Sequence, residues 1–141
     1  MADEATVQCS LQIKKGNLTY RSNPTAFRAD VATAKGPSPG AFTASTDGTS
    51  VDLTALTQPA LCRIQNIDAT NFVEVGIWDT EAALFFPLME LLPGESYVIR
   101  LSRNIEEEYV GTGTGTSAAT NRLRIKANTA ACIVLVEAFE N

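Results

Sequence analysis

The chain has 141 residues, enough for one domain with a sizeable core. Apolar residues make up 45% and charged residues 19%, which excludes a disordered tail. Net charge is −5, with 11 basic and 16 acidic residues and no histidine. That excludes Ser-His and Cys-His nucleophile pairs and argues against direct nucleic-acid binding.

In chain order, Val7, Cys9, Leu11 and Ile13 alternate with polar residues over 6–14, the period of a strand with one wet face. Lys15-Gly16-Asn17 reads as a hairpin turn and 18–21 as the returning strand, broken by Asn23-Pro24. Residues 25–31 form a third strand, with Phe27 and Val31 as core. Lys35-Gly-Pro-Ser-Pro-Gly40 reads as an exposed loop. Strands are expected over 42–46 and, after the Asp47-Gly48 turn, over 50–56, with Val51 and Leu53 on one face.

The second half is more regular. Strands are expected over 61–67 and 72–78, separated by the turn-forming Asp68-Ala-Thr-Asn71. Residues 84–91 are apolar but interrupted by Pro87, which suits an edge or bulged strand, with a short helix as the alternative. Leu92-Pro-Gly-Glu95 suits a type II turn, and 96–102 a strand. Residues 122–127 form a strand with Leu123 and Ile125 inward. The last strand, 131–139, is buried on both faces or sits in mid-sheet. About nine strands with turn chemistry between them predict an all-β fold, an antiparallel β-sandwich or jelly-roll-like barrel. The whole of 1–141 reads as one domain with a short flexible arm over 1–5.

Candidate sites are few. Cys9, Cys62 and Cys132 are odd in number and widely spaced, so they read as buried thiols in a reducing compartment. Arg122, Arg124 and Lys126 alternate along one strand face, either solvated or against an acidic partner. Glu106, Glu107 and Glu108 are consecutive and cannot converge in an extended chain. Gly111-Thr-Gly-Thr-Gly-Thr-Ser117 lacks the Lys and the helix of a phosphate loop. Trp78 with Tyr97 could stack a sugar, although Trp78 also suits an ordinary core or subunit contact. Asp68 and Asp79 lack calcium-loop spacing. The first residues carry no secretory signal, and no run is long enough to span a membrane. No catalytic, cofactor or metal site is expected.

Four stretches together are similar to small virion proteins of tailed double-stranded DNA bacteriophages. They are Asn66-Ile-Asp-Ala-Thr-Asn-Phe-Val-Glu-Val-Gly76, Phe86-Pro-Leu88, Leu92-Pro-Gly-Glu-Ser96 and the terminal Glu137-Ala-Phe-Glu140. The resemblance covers residues 61–140 and does not extend to the N-terminal third. It implies a non-enzymatic virion component, best a capsid decoration or cement protein of the head surface, assembled in the host cytoplasm. Such a protein clamps neighbouring major capsid subunits and self-associates as a dimer or trimer. The implied contacts are the arm (Ala2, Asp3, Glu4), the Pro-Gly segment (Lys35, Pro37, Pro39), the Gly-Thr segment (Gly111, Thr112, Gly113, Thr114) and Trp78. Neck, tail or fibre placement, a carbohydrate-binding module and a two-carboxylate hydrolase are the other readings.

Overall fold

The structure is a computed structural model that describes residues 5–31, 33–79, 82–102 and 121–140. Within them are twelve β-strands and no helix. The contacts divide the chain into two compact units, Met1–Ala32 and Thr33–Asn141, where the sequence reading has one domain. The reason is visible in the pairing, since among the described residues the first four strands form two ladders, β1 with β4 and β2 with β3.

The first unit is a two-stranded antiparallel ribbon. β1 (Ala5–Cys9) pairs with β4 (Thr25–Ala29), and β2 (Gln12–Lys15) pairs with β3 (Leu18–Arg21). The strand expected over 6–14 is therefore two, parted at Ser10 and Leu11. Cys9 faces Thr25 and Gln12 faces Arg21, so three residues of the returning strand oppose two. This is a one-residue bulge. The Leu11 and Ser22 backbones bond across it, and the Ser22 hydroxyl accepts from the Leu11 N–H at 2.8 Å. At the tip only Gly16 of the two loop residues has positive φ, as a type II′ hairpin requires.

The second unit is a jelly roll. Its eight strands are β5 (Ser38–Ala44), β6 (Thr49–Ser50), β7 (Pro59–Asn66), β8 (Val73–Asp79), β9 (Leu84–Leu91), β10 (Ser96–Arg100), β11 (Asn121–Ala127) and β12 (Cys132–Glu140). The first of these pairs with the eighth, the second with the seventh, the third with the sixth and the fourth with the fifth, all antiparallel. This is one long hairpin rolled up, giving sheets ordered β10-β7-β12-β5 and β6-β11-β8-β9. The expected sandwich is thus the observed fold.

Alternation builds the core. Cys132, Val134, Val136 and Ala138 of β12 point inward and are fully buried, while Ile133 on the other face is exposed. The last strand is therefore central, between β7 and β5, and buried on one face only. Ile64, Val73, Val75, Leu91, Leu123 and Ile125 close the core from the other strands. Each such aliphatic side chain contributes roughly 1.5–3 kcal/mol by leaving water. Val51, Leu53 and Leu56 plug the end, yet they lie in a loop and not in the strand expected over 50–56. Asp52 explains why: its carboxylate takes the backbone N–H and hydroxyl of Thr54, bending the chain.

Two proline readings change. The segment over 35–40 is not wholly a loop, because β5 begins at Ser38 and includes Pro39. β5 is the edge of its sheet, where a missing N–H costs no ladder bond. Pro87 lies in β9, also an edge, and Leu88 is the extra residue of a bulge, since Gly76 faces Pro87 and Val75 faces Met89. The edge-or-bulge reading of 84–91 holds, and the helix alternative is excluded.

Candidate functional site

The residues expected to make contacts do not converge. Ala2, Asp3, Glu4, Gly111, Thr112, Gly113 and Thr114 lie outside the described residues, as do Glu106, Glu107 and Glu108. Pro39 lies in β5, the edge of one sheet, with Lys35 and Pro37 in the segment leading into it, and Trp78 lies in the other sheet. Trp78 and Tyr97 are likewise on different sheets, so they form no joint sugar platform. Among the described residues no three acidic or cysteine side chains gather as a metal requires.

Lys35 is structural. Its ammonium lies 3.9 Å from the Glu140 carboxylate and 3.4 Å from the Thr57 hydroxyl. Glu140 is buried, and it also accepts from the Thr33 hydroxyl and, at 2.7 Å, from the Thr57 N–H. It stands at the end of β12, while its partners come from the start of the unit and from the approach to β7. The hydroxyl of Thr33 first, then Thr57 and the Lys35 charge, hold this carboxyl at about 2 against an ordinary 4.5, with burial opposing them. A depressed carboxyl stabilises the fold above the unfolded value and loses that contribution as pH falls through the folded one. The expected result is a urea midpoint for the native chain that declines from about pH 5 toward pH 2, with part of that decline missing in Glu140→Gln. Parallel curves for the two proteins would remove the assigned role.

The basic alternation in β11 is real and lies on the outer face of its sheet. Arg122 stands opposite Trp78, Arg124 opposite Gly76 and Lys126 opposite Glu74. The Arg124 guanidinium lies 4.1 Å from the centre of the Trp78 ring. It also donates to the Asp47 and Gly48 carbonyls, at 2.9 and 3.0 Å. Trp78 is thus half-buried under an arginine fixed by a turn, a cation–π pair within the fold. Gly48 fits there because a Cβ would fall 2.5 Å from Arg124 Nε, and because its φ is +91°.

Of the motif residues in the resemblance, those over 66–71 and 92–95 meet at one end of β7, whereas Glu140 faces Pro59 at the other end. Asn66 is fully buried, and its amide donates to the Asn71 carbonyl at 2.8 Å and the Leu91 carbonyl at 3.1 Å. Its side-chain oxygen accepts from Asp68 N–H, and its backbone bonds to Gly94 and Glu95. Asp68 in turn accepts from the N–H groups of Thr70 and Asn71, which lower its pKa. Glu95 caps its own turn by accepting from Leu92 N–H at 2.9 Å. Gly94, with φ +81°, completes the expected type II turn. These residues hold two loops to two sheets, so their chemistry is that of turns and clamps.

Burial, as expected of the cysteines, is found for two of the three. Cys62 and Cys132 are buried, and burial first, then Glu137, pushes Cys62 up to about 12. Burial and Asp68 raise Cys132 as well. Cys9 is exposed on the ribbon.

What sequence reasoning missed is an exposed apolar surface. Val7 faces Phe27, Ile13 faces Tyr20, and Leu11 and Leu18 share the Ile13 side by the two-residue period. Leu11 and Tyr20 are about half exposed, at 53% and 51%. The alternation was correct, but its apolar side chains are exposed among the described residues. Leu84, Phe86 and Leu88 of β9 form a second exposed apolar set.

Scans of family models, curated proteins and solved structures found nothing that matches the chain.

Proposed function

We propose that the chain is a non-enzymatic structural protein of a tailed-phage virion, and within that class a capsid decoration or cement protein. It fastens neighbouring major capsid subunits on the outer head surface. One observation carries this reading: a self-closed jelly roll is joined to a separate ribbon whose large apolar side chains face water. A two-stranded ribbon is marginal alone, and such a face is a place for a partner. The sequence resemblance over residues 61–140 supports the virion class. The jelly roll, a recurrent capsid-domain architecture, agrees as a fold-level analogy.

The measurement is a copy count on purified particles combined with heating. A cement protein should be present in proportion to the capsid protein. Particles lacking it should open at lower temperature, because many weak clamps add along the shell. A handful of copies per particle would favour a neck, tail or fibre position. Absence from the particle would end the virion reading.

A further inference from the structure

The two sheets of the jelly roll end in four edge strands, β5, β6, β9 and β10. Three of them carry an obstacle to further pairing. β6 is two residues long, β5 includes Pro39, and β9 includes Pro87 and the Leu88 bulge. β10 has none of these. It pairs with β7 in unbroken register from Ser96 to Arg100, and its single charged residue, Arg100, is the last one. Among the described residues no strand pairs with its outer side.

The hydrogen bonds to β7 show which backbone groups that outer side presents. Leu101 donates its N–H to the Ala60 carbonyl at 2.7 Å, and the Glu95 carbonyl accepts from Asn66 N–H at 3.0 Å. Odd positions therefore bond to β7. The alternation of an antiparallel ladder then aims the N–H and C=O groups of Ser96, Val98 and Arg100 the other way. Such a row is a template for one more strand. Tyr97 and Val98 beside it are each about half exposed.

The sequence of β10 suits a second β10. A two-fold axis through Val98 sets Val98 against its copy and Ser96 against Arg100 in both directions. All three outward residues of each strand then have bonded partners. Tyr97 lies beside Ile99 of the second copy, in the closer non-bonded position, a favourable pairing of an aromatic with a β-branched residue. The two Arg100 charges fall at opposite ends of the pair, each facing a serine. Moving the axis to Tyr97 leaves Arg100 without a strand partner, and moving it to Ile99 leaves Ser96 without one.

We infer that two copies of the chain associate through β10, antiparallel about a two-fold axis at Val98, so that two four-stranded sheets join into one continuous sheet. The same patch serves both copies and the contact is closed, so the product is a dimer and nothing larger. This inference does not rest on the virion reading, because it concerns the isolated protein.

Sedimentation velocity on the full chain, over a concentration series, tests it. The native chain should sediment as a monomer–dimer equilibrium. Val98→Pro removes the central outward N–H, which β7 does not use, and should give a monomer with the same strand-dominated circular dichroism. Should that variant lose its β spectrum, Val98→Lys carries the same test, because it sets two ammonium groups face to face on the axis at an exposed position. Ser96→Glu reads the register: it places a carboxylate opposite each Arg100 of the second copy. Two such pairs should tighten the dimer about 2- to 30-fold. A native chain that is monomeric throughout overturns the inference, as does a species larger than a dimer or a dimer insensitive to Val98→Lys. A dimer that Ser96→Glu leaves unchanged or weakens overturns the axis at Val98.

Discussion

Gly76→Val is expected to be the most damaging single substitution in β8. A Cβ on Gly76 would run into the Phe86 carbonyl oxygen and come within 2.8 Å of Pro87 Cα. Both obstacles are backbone, so no rotamer change relieves them. The close approach exists because the Leu88 bulge kinks β9 toward β8 at that point. The choice lies between opening the β8–β9 pair and shifting β9 so that Met89 and Leu91 leave the core. Overpacking a fitted site costs about 3 kcal/mol at the upper end of its usual range, and a backbone collision belongs at or above that end. A fall in Tm of about 10 °C or more follows for a unit of this size. Gly94→Ala is the useful contrast. Gly94 has open space around it, but its φ is +81°, so alanine there meets backbone strain alone. That strain is worth about 1–2 kcal/mol. Equal thermal shifts for Gly76→Ala and Gly94→Ala would show that crowding at Gly76 is not the cause.

Asn66→Leu is expected to be almost as severe, for a polar reason. The side chains are similar in size, so little cavity forms. What is lost are the partners of the Leu91 and Asn71 carbonyls and of the Asp68 N–H. Each buried group left without a partner costs about 1–3 kcal/mol. The sum is about 3–5 kcal/mol, because two of the three groups are only partly buried and can find water. Asn66→Asp makes the point more sharply. It keeps the acceptor for Asp68 but sets a second oxygen against two carbonyls, so the ionised form is disfavoured and the new carboxyl is raised. A raised carboxyl loses stability as pH rises, and this variant should recover part of its urea midpoint on acidification. An Asn66→Asp protein as stable as the native chain at pH 8 would contradict the hydrogen-bond assignment.

Much of the fold was legible because the relevant signals are local. Val73, Val75 and Ile77, or Cys132, Val134 and Val136, announce a strand and its inward face. Pro93-Gly94 announces its turn type. The order of the strands was not legible, since Asp68 or Gly94 marks where the chain reverses and says nothing of which strand it next meets. The ribbon marks a subtler limit. Val7, Cys9, Leu11 and Ile13 show that a strand has two unlike faces, but whether the apolar one is covered depends on residues elsewhere. Pro39 misled for a related reason: proline is barred from a sheet interior, and β5 is an edge. Of the candidate contacts, Trp78 was read as a partner, sugar or core aromatic, and the residue it meets in the fold, Arg124, lies far along the chain. The Glu140 clamp gave no sequence signal at all. Thr33, Lys35 and Thr57 are brought to it only by the closing of the roll.

That closing has a mechanical consequence. Ser38 faces Ala138, so β5 and β12 present the two ends of the jelly roll side by side. Tension applied between those ends peels this pair apart one bond after another, the Glu140 contacts first. Antiparallel strands pulled from the same end never share the load, so the unit yields at low force along this axis. A pull applied through β9 instead reaches the roll by way of an entire sheet.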